Sequence, residues 1–294
     1  MKSLGKIGEY LRRGLYLAIY GLFAAMPMAT ASAFGSWLAR SIGPRIRVHQ
    51  HARHNLTRAF PEKSAAEIAI ILDGMWDNLG RVFGEFPHIG QVDVYNDPRI
   101  EVIGREHVER LRANHRPSII LSAHFGNWEL AGFAVIQQGP FAPLGFVYRA
   151  ANDLAAEWLL QFGRGRLQAE LIPKGAPGAR RIIEILRAKG LVIMLPDQKM
   201  NNGIAVPFFG RPAMTAPALA QLALKFGCDI VPCRMERKSG TNFRMIFEAP
   251  IPLPHSGDRQ ADILALMTTI NRRMEDWIRQ RPGQWLWVHR RWPD

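Results

Sequence analysis

Between positions 119 and 129 the chain reads Ile119-Ile120-Leu121-Ser122-Ala123-His124-Phe125-Gly126-Asn127-Trp128-Glu129. The apolar run that ends at Ser122 is rich in strand-forming residues. His124 follows at once, and after a Gly-Asn turn the apolar residues recur at helical spacing. A histidine and a carboxylate, that of Glu129, are therefore predicted where a strand gives way to a helix. Such a junction can present reactive groups at the end of a sheet.

Strands and helices alternate from about residue 99 to the end of the chain. The predicted strands are Ile100–Ile103, Ser118–Ser122, Leu144–Tyr148, Leu191–Leu195, Ile230–Met235 and Phe243–Phe247. The predicted helices lie near 105–114, 128–138, 153–163, 178–189, 215–226 and 259–280. Near the amino terminus, Ser64 and Glu67 form a capping-box pattern that opens a further helix. The alternation predicts an α/β sheet covered by helices.

Length and composition indicate an ordered globular protein. The chain has 294 residues, of which 48% are hydrophobic and 21% charged, and this length suits one large core or a core with an appendage. Its two cysteines, Cys228 and Cys233, form neither a disulfide framework nor a zinc pattern, and both lie in or beside a strand-like run. They are predicted to be buried thiols, which fits a reducing compartment.

Residues 14–39 contain no charged side chain, and about 20 apolar residues suffice to cross a bilayer. We therefore expect residues 1–45 to form an N-terminal membrane-anchoring helix and residues 46–294 a single catalytic domain. The anchor is compatible with one spanning helix or with a kinked or re-entrant segment, because Pro27 interrupts it. A cleaved signal peptide is the third interpretation, since small residues at 29–33 follow a basic start. The uncleaved anchor is preferred.

The net charge of +13 is concentrated near the amino terminus. Residues 1–60 hold nine lysines and arginines, and Glu9 is the one acidic residue among them. Such a bias suits anionic lipid headgroups or nucleic acid. No standard nucleic-acid-binding motif is visible, so an anionic membrane surface is the expected partner and nucleic acid is not.

The pair His124 and Glu129 suggests general base chemistry. A neutral imidazole can take a proton from a hydroxyl group, and a carboxylate on its other nitrogen fixes the tautomer. Gly126 permits a tight bend and Asn127 is a good helix N-cap, which would place Glu129 in the first helical turn. No Gly-x-Ser-x-Gly elbow surrounds Ser122, so a substrate hydroxyl is the natural nucleophile. On spacing alone, a backbone-bonded loop histidine and a surface carboxylate remain an alternative.

A longer series of blocks resembles the bacterial lipid A biosynthesis acyltransferases, the lauroyl/myristoyl family. His124 and Glu129 match the His-x4-Asp/Glu motif of glycerolipid acyltransferases. The other matching blocks, which extend over nearly the whole chain, are Asn55 with Phe60-Pro61, Val147-Tyr148-Arg149, Phe162-Gly163-Arg164, Leu195-Pro196-Asp197-Gln198, Val206-Pro207-Phe208-Phe209-Gly210 and the segment 285–292. Their order makes the resemblance far more specific than the His-x4-Glu spacing.

The resemblance implies a glycerol-3-phosphate acyltransferase-like fold and transfer of a fatty acyl chain from acyl carrier protein. The implied acceptor is the hydroxyl of a 3-hydroxyacyl chain on a lipid A precursor, and no cofactor or metal is implied. His124 would be the general base and Glu129 its partner, without a covalent acyl-enzyme. Arg164, Asp197 and Arg149 would be substrate-binding residues. The implied location is the bacterial inner membrane, with the active domain on the cytoplasmic side.

Several alternatives stay open at this point. The motif also fits an acceptor of another class, such as a mannosylated phosphoinositide or an amine- or hydroxyl-bearing lipid. A non-catalytic lipid-binding relative is the third interpretation. Arg149 and Arg164 also suit structural ion pairs, and Asp197 also suits a loop cap. The tryptophans of segment 285–292 are interpreted as packing residues. Arg290 and Arg291 are candidate contacts for a strongly acidic acyl carrier protein.

Overall fold

A mostly parallel seven-stranded sheet forms the centre of the protein. The structure is a computed structural model that describes residues 2–139, 143–165 and 169–292. The strands are β1 (Ile100–Ile103), β2 (Ser118–Leu121), β3 (Leu144–Tyr148), β4 (Glu170–Pro173), β5 (Leu191–Met194), β6 (Lys199–Phe208), β7 (Arg211–Thr215), β8 (Asp229–Ser239) and β9 (Asn242–Phe247). The order in the sheet is β1-β9-β8-β2-β5-β3-β4, while β6 and β7 pair separately as a hairpin.

Parallel pairing brings the carboxyl ends of the central strands to one edge. β2 pairs in parallel with β5 and with β8, β5 with β3, and β3 with β4. Only the β8–β9 pair of this sheet is antiparallel. All four residues of β2 and of β5 are buried, as expected for strands that helices cover on both faces. The segments that follow these strands therefore meet at the same edge of the sheet.

Ten α-helices surround the sheet within the described ranges. They are α1 (Lys2–Ala24), α2 (Met28–Ile42), α3 (Arg47–Ala59), α4 (Ala65–Glu85), α5 (Arg105–Asn114), α6 (Trp128–Gln137), α7 (Leu154–Arg164), α8 (Ala176–Arg187), α9 (Ala218–Phe226) and α10 (Arg259–Gln280). The predicted α/β class is confirmed. So is the capping box of α4, in which the Ser64 hydroxyl and the Glu67 carboxylate each accept the other residue's backbone N–H.

Three strands were absent from the sequence prediction. β4 is a four-residue strand at one end of the sheet order, with only one of its residues buried. The hairpin strands β6 and β7 contain glycine, asparagines and prolines, which have low strand propensity. Their pairing is irregular between Lys199 and Ile204. Local composition therefore gave little signal at these three places.

The predicted membrane-spanning helix is not supported. Across residues 2–139, 143–165 and 169–292, no helix is long and apolar enough to cross a membrane. The uncharged segment is divided between α1 and α2, and Pro27 stands at the start of α2 with an extended backbone. A proline has no N–H to continue a helix from the preceding turn, so one uninterrupted helix does not form.

Helix α2 packs backbone to backbone against α4. A Cβ atom added to Gly35 would lie 2.2 Å from the Gly80 carbonyl oxygen. The Ser32 hydroxyl donates a 2.6 Å hydrogen bond to the buried carboxylate of Glu85 at the end of α4. Helix α2 is therefore joined to the rest of the protein by close packing and by a buried polar contact.

We expect Gly126→Ala to lower the free energy of unfolding by more than about 3 kcal/mol. Gly126 has a φ of +56°, and an added Cβ would lie 1.8 Å from the Met235 carbonyl oxygen. The matched control is Gly210→Ala, because Gly210 has a φ of +68° but no atom within 4 Å of an added Cβ. The control carries only backbone strain, roughly 1–2 kcal/mol. Equal losses in chemical denaturation would show that the contact with Met235 is unimportant.

Candidate active site

The candidate site lies at the carboxyl edge of the parallel strands. His124 follows β2, Asp197 follows β5 and Arg149 follows β3. Leu121 stands opposite Met194 in the β2–β5 register, and the Ser122 N–H continues that pairing to the Met194 carbonyl at 3.0 Å. The pairing of the two strands therefore fixes the separation of the histidine and the aspartate.

Asp197 is the carboxylate partner of His124. The His124 Nδ1 lies 2.9 Å from Asp197 Oδ1, and the His124 backbone N–H donates to Oδ2 at 2.8 Å. The indole Nε1–H of Trp285 donates to the same Oδ2 at 3.0 Å. An ionised carboxylate can only accept, so the imidazole carries its hydrogen on Nδ1 and keeps a lone pair on Nε2. This is the tautomer that a general base requires.

This geometry differs from the sequence prediction in two respects. Glu129 was expected to hold the imidazole, yet no hydrogen bond or ion pair joins it to His124 in the described part of the chain. Asp197 was expected to bind substrate, yet its side chain is fully buried and both of its oxygens are bonded inside the protein. Asp197 therefore takes the place beside His124 that the five-residue spacing assigned to Glu129, and Glu129 lies elsewhere in the site.

Asp197 stays ionised in its buried position. Burial alone would raise the pKa of the Asp197 carboxyl, but the charge and hydrogen bonds of His124 outweigh burial and hold the pKa below its usual range. The aspartate therefore remains a negative partner for an imidazole that gains a proton.

Glu129 forms a buried ion pair with Arg164. Arg164 Nε donates to Glu129 Oε2 at 2.9 Å and Nη2 donates to Oε1 at 2.5 Å, which is a bidentate arrangement. The guanidinium carbon also lies 5.8 Å from the ring centres of Phe146 and Tyr148. Burial opposes ionisation of Arg164, but the charge of Glu129 raises its pKa above the ordinary value. Glu129 therefore fixes the position of an arginine at the cavity.

A buried polar network supports the turn that carries His124. The Asn127 side chain caps α6 by accepting from the Leu130 N–H at 3.0 Å, which confirms the predicted N-cap. Its amide donates to Glu85 Oε2 at 2.7 Å, and Arg237 donates to both oxygens of Glu85. Asn78 donates to the Gly126 carbonyl at 3.0 Å. The turn is thus held from several elements at once.

Two residues that the sequence analysis did not single out also contact the base. The Gln198 amide nitrogen lies 3.2 Å from His124 Nε2 and 3.3 Å from His289 Nε2. Its two hydrogens can therefore be donated to the two imidazoles. Both residues lie inside blocks that the sequence analysis quoted, but nothing in those blocks distinguished them. A substrate hydroxyl must displace the Gln198 amide to reach the His124 lone pair.

A cavity opens at this edge and combines an apolar wall with polar groups. The apolar and aromatic side chains include Trp128, Phe146, Tyr148, Met194, Leu195 and Leu219. The polar lining consists of His124, Arg149, Arg164, Lys174 and Gln198. No cluster of His, Cys, Asp and Glu suited to a metal ion occurs within residues 2–139, 143–165 and 169–292. A base, several cations and an apolar wall thus share one cavity.

Sequence comparison identifies the family to which the chain belongs. The profile described as bacterial lipid A biosynthesis acyltransferase matches residues 3–294. The chain belongs to this family. Acyl transfer in the biosynthesis of lipid A or related glycolipids is therefore the reaction class that its members share.

The proteins similar to this acyltransferase are named for different acyl groups or for different acceptors. The lipid A biosynthesis palmitoleoyltransferase of Escherichia coli (strain K12) is 25% identical over 296 residues, covering 96% of this chain and 93% of the relative. The lipid A biosynthesis lauroyltransferase of the same strain is 27% identical, covering 81% and 76%. The phosphatidylinositol mannoside acyltransferase of Mycobacterium tuberculosis (strain ATCC 25618 / H37Rv) is 24% identical, covering 94% and 87%.

The C-terminal segment of this acyltransferase is largely internal. Trp285, Trp287 and Trp292 are buried, as the packing interpretation predicted. Arg291 is also fully buried, and it donates to the Met214 carbonyl at 3.0 Å and to the Thr215 hydroxyl at 2.8 Å. Arg291 is therefore a structural residue and cannot be the surface contact for an acidic partner that the sequence suggested.

The acyltransferase is expected to lose stability as the pH falls from 8 to 5, partly through His289. Burial lowers the pKa of His289 to about 4, and the charge of His124 acts in the same direction. Between the ordinary pKa of histidine and the lowered pKa of the folded state, His289 is protonated in the unfolded chain and neutral in the folded chain. The contribution of His289 to the free energy of unfolding should therefore decrease by about 2 kcal/mol when the pH is lowered from 8 to 5.

Denaturation curves of His289→Asn at both pH values test this expectation, because asparagine does not titrate. The variant should lose less stability on acidification than the unchanged protein. His255→Asn, at an exposed position, controls for the removal of an imidazole. An unchanged pH dependence in His289→Asn would contradict the assigned origin.

Proposed function

We propose that this protein transfers a fatty acyl chain from acyl carrier protein to the hydroxyl of a 3-hydroxyacyl chain on a lipid A precursor. The observation that carries the proposal is the His124–Asp197 pair at the cavity, which leaves the Nε2 lone pair to accept from the Gln198 amide or, once that amide is displaced, from a substrate hydroxyl. His124 Nε2 takes the hydroxyl proton while the oxygen attacks the thioester carbonyl carbon. Asp197 stabilises the imidazolium that forms. The tetrahedral intermediate expels the donor thiolate, which takes the proton back from His124.

The attack proceeds directly, without a covalent acyl-enzyme. Ser122 is buried and lies before the turn, so its hydroxyl is a poor candidate nucleophile. Burial raises the pKa of the Cys228 and Cys233 thiols to about 12, which leaves little thiolate at neutral pH. These observations favour the acceptor hydroxyl as the attacking group.

Arg164 and Arg149 are the proposed substrate-binding residues. Arg164 lines the cavity and is fixed by Glu129, so it can offer a positioned positive charge to the tetrahedral oxyanion. Arg149 lines the same cavity from the end of β3. In this scheme Asp197 orients the base and Glu129 orients the arginine.

The membrane is the proposed source of the acceptor, at the cytoplasmic face of the bacterial inner membrane. Large apolar side chains of α1, α2 and α4 are exposed, among them Leu11, Leu15, Trp37 and Phe83. Phe83 also lines an apolar groove formed largely by residues of these helices. Together with the net charge of +13, this surface suits attachment to an anionic bilayer without crossing it. Failure to float with anionic vesicles would count against the attachment.

A second candidate acceptor is a mannosylated phosphoinositide or a related glycolipid. The observation that favours it is the similarity to phosphatidylinositol mannoside acyltransferases, which extends over 94% of this chain. The chemistry at His124 would be unchanged, because both acceptors present a hydroxyl on an anionic lipid.

A reconstituted transfer assay tests the proposed function. The full chain in anionic vesicles is supplied with acyl carrier protein loaded with a fatty acid and with either glycolipid. Mass spectrometry should show one acyl group added to the lipid A precursor, and His124→Ala should add none while remaining folded. Transfer to the mannolipid alone would select the second acceptor. Undiminished transfer by His124→Ala would reject the mechanism.

A further inference from the structure

Two neighbouring cations, Arg149 and Lys174, line the cavity, and neither forms an ion pair with an acidic side chain in the described part of the chain. Arg149 and Lys174 directly follow the parallel strands β3 and β4, in which Tyr148 stands opposite Pro173. The Lys174 backbone N–H donates to the Tyr148 carbonyl at 3.1 Å, which keeps the two strand ends together. The side chains of Arg149 and Lys174 make no hydrogen bond or ion pair with any residue that the structure describes.

The third cation of the cavity provides a contrast. Arg164 forms a bidentate ion pair with Glu129, which supplies its counter-charge. Arg149 and Lys174 are both exposed at the cavity and lack any such partner within residues 2–139, 143–165 and 169–292. Burial and the charge of Arg149 lower the pKa of Lys174, and the charge of the buried Asp197 offsets this only in part. The charges of Arg149 and Lys174 also help to lower the pKa of the half-buried His289. Like charges side by side repel, so an arrangement of this kind indicates a bound anion.

We propose that Arg149 and Lys174 form a phosphate-binding site for the glycolipid acceptor. This inference rests on the proposed function. A guanidinium binds two phosphate oxygens through parallel N–H donors, and an ammonium adds a compact charge. Binding the phosphate at the ends of β3 and β4 would direct the acceptor hydroxyl towards His124 at the end of β2.

The acceptor is favoured over the donor as the source of the phosphate. Both cations share one cavity with His124, so the phosphate must lie near the reacting atoms. In a phosphorylated acylated sugar, the phosphate and the hydroxyl of an acyl chain on the neighbouring sugar oxygen are separated by fewer bonds than the corresponding groups of the donor. In acyl carrier protein, the whole pantetheine arm separates the phosphodiester from the thioester. The short separation matches one shared cavity.

The test compares Arg149→Gln and Lys174→Gln with the unchanged protein in anionic vesicles. The acceptor is supplied as the phosphorylated lipid A precursor or as the same lipid after phosphatase treatment. Each variant should raise the KM for the phosphorylated acceptor roughly tenfold or more, as expected for a lost charged hydrogen bond. The KM for the dephosphorylated acceptor and that for the acyl donor should not change.

Arg180→Gln is the matched control, because Arg180 is an exposed arginine of α8 that does not line the cavity. It should leave both KM values unchanged. Equal effects of Arg149→Gln and Lys174→Gln on both acceptors would overturn the site, and so would a change confined to the KM for the donor. Transfer by the unchanged protein verifies the proposed function in the same assay, so failure of the phosphate site is distinguishable from failure of that function.

Discussion

Replacing Asp197 with asparagine is expected to lower kcat for acyl transfer by about 10⁴-fold, the order seen when an orienting carboxylate is lost from a catalytic triad. Two N–H donors, from the His124 backbone and from Trp285, face Oδ2. The amide oxygen must occupy this position, so the amide NH₂ faces His124 Nδ1. The imidazole is then forced to carry its hydrogen on Nε2, where it cannot accept the proton of a hydroxyl group.

The measurement is steady-state kcat with both substrates saturating, accompanied by the nitrogen NMR spectrum of His124. Asp197→Asn is nearly isosteric, so the fold should be retained. The matched control is Asp276→Asn, at an exposed aspartate of α10, which should keep full activity. A kcat for Asp197→Asn within tenfold of the unchanged value, with the original tautomer retained, would contradict the assigned role.

Glu129→Ala is expected to lower the free energy of unfolding by about 3–5 kcal/mol, because it leaves the guanidinium of Arg164 buried and unpaired. Both side chains are largely buried, so water cannot fully replace the missing carboxylate. The double variant Glu129→Gln/Arg164→Met removes both charges of the ion pair and should restore most of that stability. Acyl transfer should remain weak in both variants, since the positioned cation at the cavity is lost.

Chemical denaturation and kcat measured on the same preparations separate structure from chemistry. An exposed pair offers the matched control: Glu101→Ala leaves Arg244 without its 3.0 Å partner at the surface. That change should cost at most about 1 kcal/mol. If Glu129→Ala were equally mild, or if the stabilised double variant regained full activity, the ion pair would not have the role assigned to it.

The sequence predicted the sheet better than it predicted the site. Continuous apolar runs identified β2 and β5, because both are buried on both faces. The partner of His124 was missed because it lies 73 residues away, whereas Glu129 was near in sequence. A signal was available: Asp197 lies three residues after the end of β5, which is apolar like β2, and the carboxyl ends of parallel strands meet at one edge.

The N-terminal helices illustrate a second limit of sequence reasoning. Lack of charge over residues 14–39 suggested a membrane anchor, either one spanning helix or a segment interrupted at Pro27. In the structure Pro27 separates α1 from α2, and no helix of the described residues is long and apolar enough to cross a membrane. The glycines of α2 and α4 had no evident meaning in the sequence. In the structure Gly35 and Gly80 permit contact between the two helix backbones. Small residues at such positions reveal packing only when the facing helix is known.

The buried carboxylate of Glu85 has a consequence for local opening of the protein. It accepts hydrogen bonds from Ser32 of α2, from Asn127 at the catalytic turn and from Arg237 of β8. When any one of these segments moves away, the charged groups left behind must be solvated or remain unsatisfied, which is costly. Amide hydrogens of α2 and of the turn before α6 should therefore exchange with solvent as one cooperative unit, at a common rate.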